Sequence, residues 1–151
     1  MSIPRPKSPA ILLICAMGLV GAGGCAASSP EGLRRAVRDF NRSLRWQRFA
    51  RASRYLETSR QDSFLQRYSA AEDLLHIQSM AVQRVRTRRD DAAVNAQVTV
   101  VARYYLLPST VVEEARIRQQ WRWQESRGWV LTAISEHLAP ELDAEGTKTA
   151  Q

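Results

Sequence analysis

From Glu31 to about Phe49, apolar side chains return every three or four residues. Leu33, Val37, Phe40 and Leu44 therefore share one stripe of a helix. On the far side, Arg34, Arg38, Arg42 and Arg45 gather as a basic ridge, with Trp46 close to it and off the stripe. Two shorter helices are predicted over Ala50–Glu57 and Ser59–Leu74, the second capped by Ser59 with Asp62 three residues on.

After Leu74 the period changes. Ile77–Arg88, Ala93–Leu107, Val111–Glu125 and Trp129–Ser135 are rich in Val, Thr and aromatics. Turn signals at Arg89-Asp90-Asp91, Pro108-Ser109 and Ser126-Arg127-Gly128 separate them. Connections this short demand antiparallel neighbours. Pairing Leu107 with Thr110 sets Ala96 against Trp121, Val100 against Ile117 and Leu106 against Val111 on an apolar face. The same register sets Arg103 against Glu114 and Thr99 against Arg118 on a polar face, and a slip of one residue mixes the two sets. Gly128 suits a three-residue hairpin loop with a bulge, which places Trp129 and Leu131 on the face of Trp121 and Trp123. In the first strand both Ile77/Val85 and Met80/Val82 have reason to point inward, and only a bulge reconciles them. A sheet with one apolar face needs a cover, and the helices supply it.

The 151 residues allow one domain with a modest core. Ahead of it, Arg5 and Lys7 form a basic start, and an apolar run from Ala10 to Val20 ends in Gly21-Ala22-Gly23-Gly24. The run is shorter than the roughly 20 residues of a membrane span, so residues 1–24 are expected to be a cleaved export signal. Ala22-Gly23-Gly24-Cys25 is similar to a lipobox, with Ala where leucine is usual, and makes Cys25 the expected site of acylation, palmitate included. Residues 25–30 then form the lipidated cysteine and a tether, 31–138 the domain and 139–151 a disordered tail. The second cysteine, Cys15, lies inside the leader, so the mature chain has no disulfide and no thiolate metal site to draw on. The net charge is +7, or +5 without Arg5 and Lys7, and 19 of the 20 remaining basic residues are arginine. That balance permits attraction to anionic surfaces without naming one.

The order of helices followed by a four-stranded meander resembles the nuclear-transport-factor-2-like cone. Phe40-Asn41-x-x-Leu44-Arg45-Trp46, then Phe49, Ala52 and Tyr55, resembles a group of small, mostly uncharacterised proteobacterial lipoproteins, and Gln120-Trp121-x-Trp123 and Gly128-Trp129-x-Leu131 fit as well. The resemblance spans about Glu31–Ser135 and implies an α+β fold, with N-terminal helices on a curved four-stranded antiparallel sheet behind a signal peptide. It says little about activity, because the fold hosts enzymes, binders and assembly modules.

No catalytic motif stands out. His76 and His137 fall at opposite ends of the strand region, and Asp90-Asp91 and Glu113-Glu114 read as solvated charge. No cofactor, metal or enzymatic activity is expected. Tyr104, Glu113, Gln119, Trp121, Trp123 and Trp129 share the inner face and are candidates for lining a pocket for a small hydrophobic ligand. Arg34, Arg38, Arg42, Arg45 and Trp46 are candidates for a surface that meets an envelope protein or anionic lipid, and nucleic acid is not expected for an exported protein. Ala26 after the cysteine lacks the aspartate that, in Gram-negative lipoproteins, holds them in the inner membrane. The expectation is a non-catalytic interaction or assembly module anchored to the outer membrane and facing the periplasm. The alternative is a binder of a small hydrophobic ligand within the cone.

Overall fold

A computed structural model describes residues 29–90 and 93–140, and the leader, Cys25, Asp91 and the segment from 141 onward lie outside them. Ser29 opens the first helix, α1 (Pro30–Arg45), its hydroxyl accepting from the Gly32 amide at 3.2 Å ahead of a proline suited to the first turn. The helix stops four residues before the expected Phe49, because Gln47 takes a left-handed backbone with φ 54°. The Arg48 amide donates to the Ser43 carbonyl at 2.8 Å and the Gln47 amide to Leu44 at 3.1 Å, the paired bonds that end a helix around such a residue. Glycine is usual there. Gln47 compensates with its side chain, which donates to the carbonyls of Glu72 and Leu75 at 2.6 and 3.0 Å and ties the corner to the start of the sheet.

The next helices are α2 (Phe49–Ser53) and α3 (Thr58–Ala70). Ser59 does not cap α3: Glu57 holds the cap position without a side-chain bond, and Ser59 lies inside the helix. The link between α2 and α3 runs beside the last strand. Leu131 donates to the Tyr55 carbonyl at 2.7 Å and Glu57 donates back to Leu131 at 3.3 Å, which covers that edge of the sheet.

Strands β1 (Leu75–Asp90), β2 (Ala93–Leu106), β3 (Glu113–Gln124) and β4 (Gly128–Ile134) form one antiparallel meander in chain order. The expected register holds: Ala96 faces Trp121, Val100 faces Ile117, Thr99 faces Arg118 and Arg103 faces Glu114. The ladder begins only at Tyr104–Glu113, so Leu106 and Val111 are not a pair, and Val111 and Val112 sit exposed in the loop. Gly128 has φ +79°, the left-handed value its hairpin requires, and Trp123 pairs with Trp129 without a bulge between Trp121 and Trp123. In β1 the register slips twice, after Ile77 and after Val82. Gln78 and Gln83 are the extra residues, and each slip restores the inward facing of the next apolar pair. Both competing sets, Ile77/Val85 and Met80/Val82, therefore face inward opposite Tyr104, Val98, Ala102 and Val100.

The core lies between this inner face and the helices. Leu33, Val37, Phe40 and Leu44 are all buried, as the stripe demands, against Phe64, Tyr68, Val98, Val100, Ile117 and Trp121. The chain beyond β4 folds back onto the core. Leu138 and Ala139 are buried, and the Leu138 amide donates to the Tyr68 hydroxyl at 3.3 Å. Ala139 thus belongs to the packed core rather than to the tail, buried beside Leu138 and with its backbone bonded to the Tyr68 hydroxyl.

Burial pushes the Tyr68 phenol up from 10.0 to about 12. A raised pKa in the folded state means stability that is complete below pH 10 and is lost as pH climbs toward 12. Two units correspond to about 2–3 kcal/mol. Urea unfolding across this window will show wild type losing stability more steeply than Tyr68→Phe. Tyr55 and Tyr104 shift the same way but are more exposed, and both variants share them. Parallel curves would show that Tyr68 ionises in the folded state as freely as in the unfolded one.

Candidate functional site

The six candidate pocket residues share the inner face but do not converge. Tyr104 donates to the Glu113 carboxylate at 3.0 Å at one end of β3. Trp123 and Trp129 meet edge to face, with ring centres 5.9 Å apart, at the other. Ten residues of extended strand separate them, on the order of 30 Å. Burial raises the Tyr104 pKa to about 12, with the Glu113 hydrogen bond and charge adding to it. Between these ends the cone is filled: Trp121 packs edge to face on Phe40 and Tyr55, with ring centres 5.8 and 6.1 Å away. His76 stacks on Tyr105 and His137 lies against Tyr68, so each histidine keeps its own aromatic neighbour.

The five residues of the ridge behave differently. Arg34, Arg38, Arg42, Arg45 and Trp46 all line one groove of about 540 Å³ between α1 and the free half of β1. Val37, Asn41, Met80, Val82 and Val85 complete the lining. Its position follows from the bulges in β1, which keep Met80, Val82 and Val85 facing inward along an edge strand that has outrun the cover of α1. Val82 and Val85 are consequently 47% and 40% exposed. Trp46 is 59% exposed at the end of α1, with the Arg45 guanidinium 5.2 Å from its ring centre. No carboxylate contributes to the lining, and among the described residues no ion pair engages the four arginines.

Beneath the groove runs a short polar relay inside the core. Trp121 Nε1 donates to Gln119 Oε1 at 3.3 Å, and Gln119 Nε2 donates to Asn41 Oδ1 at 2.7 Å. An indole nitrogen only donates, so Gln119 must present its oxygen to Trp121 and its nitrogen to Asn41. Asn41 must then turn its oxygen inward and its nitrogen away. That nitrogen is buried and has no acceptor. Gln119 was anticipated from its facing; Asn41 and the valine floor were not. The signal for Asn41 was present, since it lies four residues after Val37 on the apolar stripe, where an amide has no reason to be unless it bonds.

Among the described residues no group of three or more His, Cys, Asp and Glu side chains is placed to hold a metal, and no helix is long and apolar enough to cross a membrane.

The architecture is that of the nuclear-transport-factor-2-like cone. A protein of this type from Cytophaga hutchinsonii superposes with a TM-score of 0.54 at 10% identity, covering 69% of this chain and 93% of its own. A domain from Exiguobacterium sibiricum, described as of the calcium/calmodulin-dependent kinase II association kind, superposes with a TM-score of 0.55 at 12% identity, covering 70% and 91%. At such identities the likeness establishes the fold alone. No family model and no curated protein matches the sequence.

Proposed function

We propose that this chain is a non-catalytic binding module of the cell envelope, anchored through an acylated Cys25 to the periplasmic face of the outer membrane. Its working surface is the groove between α1 and β1. One observation carries the reading: the ridge residues Arg34, Arg38, Arg42, Arg45 and Trp46 share one concavity with exposed apolar side chains. Exposed arginine and tryptophan around an apolar floor is the composition of a recognition surface. The lipobox-like segment supports the anchor, and the short tether keeps α1 near the bilayer. A ligand deep among Trp121, Trp123 and Trp129 is disfavoured by the packing of Phe40, Tyr55 and Trp121.

Two measurements test the address and the surface separately. Intact mass of the protein from membrane fractions is expected to show loss of residues 1–24 and added acyl mass, and Cys25→Ser is expected to release the chain. An unmodified Cys25 on a membrane-bound protein ends the lipoprotein reading. Arg38→Glu with Arg42→Glu is expected to abolish binding to envelope components while leaving the melting temperature within a few degrees, because both side chains are exposed. Unchanged binding by that double variant removes the groove from consideration.

A further inference from the structure

The relay ending at Asn41 says what the groove recognises. Every hydrogen-bonding side chain at its lining offers a donor: four guanidiniums, the Trp46 indole and the buried Asn41 amide nitrogen, which faces away from Gln119. Asn41 is 5% exposed, its oxygen is spent on Gln119, and its nitrogen is without a partner. A buried donor left unpaired is costly, and a ligand acceptor that reached it would recover that cost. On α1, Arg38 precedes Asn41 by three residues and Arg45 follows it by four, so both lie one helical turn from it, and all three line the groove. The remaining lining is Val37, Met80, Val82 and Val85.

We propose, resting on the groove as the working surface, that it binds one single-chain anionic amphiphile, a carboxylate or phosphate head at Asn41, Arg38 and Arg45 with an apolar body along Met80, Val82 and Val85. The volume, about 540 Å³, is that of a pocket for one small molecule. A flat bilayer would reach the arginines at the rim but leave Met80 and the buried Asn41 unused. A second copy of this chain would bring the same four arginines against themselves. An apolar molecule without a charge would leave all six donor groups unanswered. The ligand is therefore both anionic and separate from the bilayer.

The test uses the full chain in bilayers of zwitterionic phosphatidylcholine, exposed to dodecanoate with a photoactivatable group near the chain end. Adducts are mapped by peptide mass spectrometry. They are expected on the segments holding Val37, Met80, Val82 and Val85, and excess dodecanoate should remove them where dodecanol does not. Arg38→Gln with Arg45→Gln should cut labelling at least tenfold. Asn41→Leu, with folding checked by thermal melting, should cut it several-fold with the arginines intact. Equal labelling by a photoactivatable dodecanol overturns the recognition of charge. Competition by phosphatidylglycerol as strong as by dodecanoate shows a groove that meets bilayer headgroups and overturns the single-chain ligand. Adducts only elsewhere overturn the site. In any of these cases, loss of envelope binding in Arg38→Glu with Arg42→Glu would still uphold the groove as a surface, now for a protein partner.

Discussion

Trp121→Ala is expected to lower stability by about 3–5 kcal/mol, as truncation of a buried tryptophan does elsewhere. Trp121 is 1% exposed and sits where α1, the α2–α3 link and the sheet meet. Phe40 and Tyr55 approach it edge to face, and such aromatic pairs add about 0.5–1.5 kcal/mol beyond burial. Its cross-strand partners are Ala96 and Leu131. The small Ala96 leaves room for the indole, so no neighbour is poised to refill the space. Domains of this kind have about 5–15 kcal/mol in total, and the variant will be marginal at best. Urea unfolding measures the loss, and a change below about 1 kcal/mol would show that the indole is not the centre of the core. Trp121→Phe separates the parts: it keeps much of the packing but leaves Gln119 Oε1 without its donor.

The second large effect belongs to the relay. Gln119→Leu leaves Trp121 Nε1 without an acceptor and the Asn41 oxygen without a donor, in a place that water does not reach. Each orphaned group costs about 1–3 kcal/mol, so a loss of about 2–4 kcal/mol is expected despite the greater hydrophobicity of leucine. Asn41→Leu alone strands Gln119 Nε2. Both changes together remove the inner pair at once and are expected to cost clearly less than the sum of the singles, a coupling that a double-mutant cycle reads directly. Additive losses would mean that the two amides do not depend on each other.

Much of this molecule follows from short-range pattern. A residue's facing in a regular strand is decided by parity, so the partners of Ala96, Val100 and Arg103 could be counted from the Pro108-Ser109 turn without coordinates. The 3.6-residue period placed Leu33, Val37, Phe40 and Leu44 inside for the same reason. Where the pattern conflicted with itself, in β1, the conflict pointed to a bulge, and two are present. Helix ends were less legible. Gln47 breaks α1 in a position where glycine would have been the visible signal, and its reason for being there is a pair of carbonyls 25 and 28 residues away.

What the sequence by itself determined is thus the class of fold, the register of β2 on β3, the inner and outer faces, and the existence of a basic ridge on α1. These depend on neighbours within a few residues or across one turn. Only the tertiary structure decided that the cone is filled around Trp121, that the Tyr104 and Trp129 ends of the inner face stand apart, and that the ridge overhangs exposed valines. It also decided the direction of the Asn41 amide, through a hydrogen-bond chain that reaches 78 residues along the sequence to Gln119. Those features depend on how far an edge strand outruns the helix above it and on which groups meet once both are in place. Local periodicity carries no record of either distance.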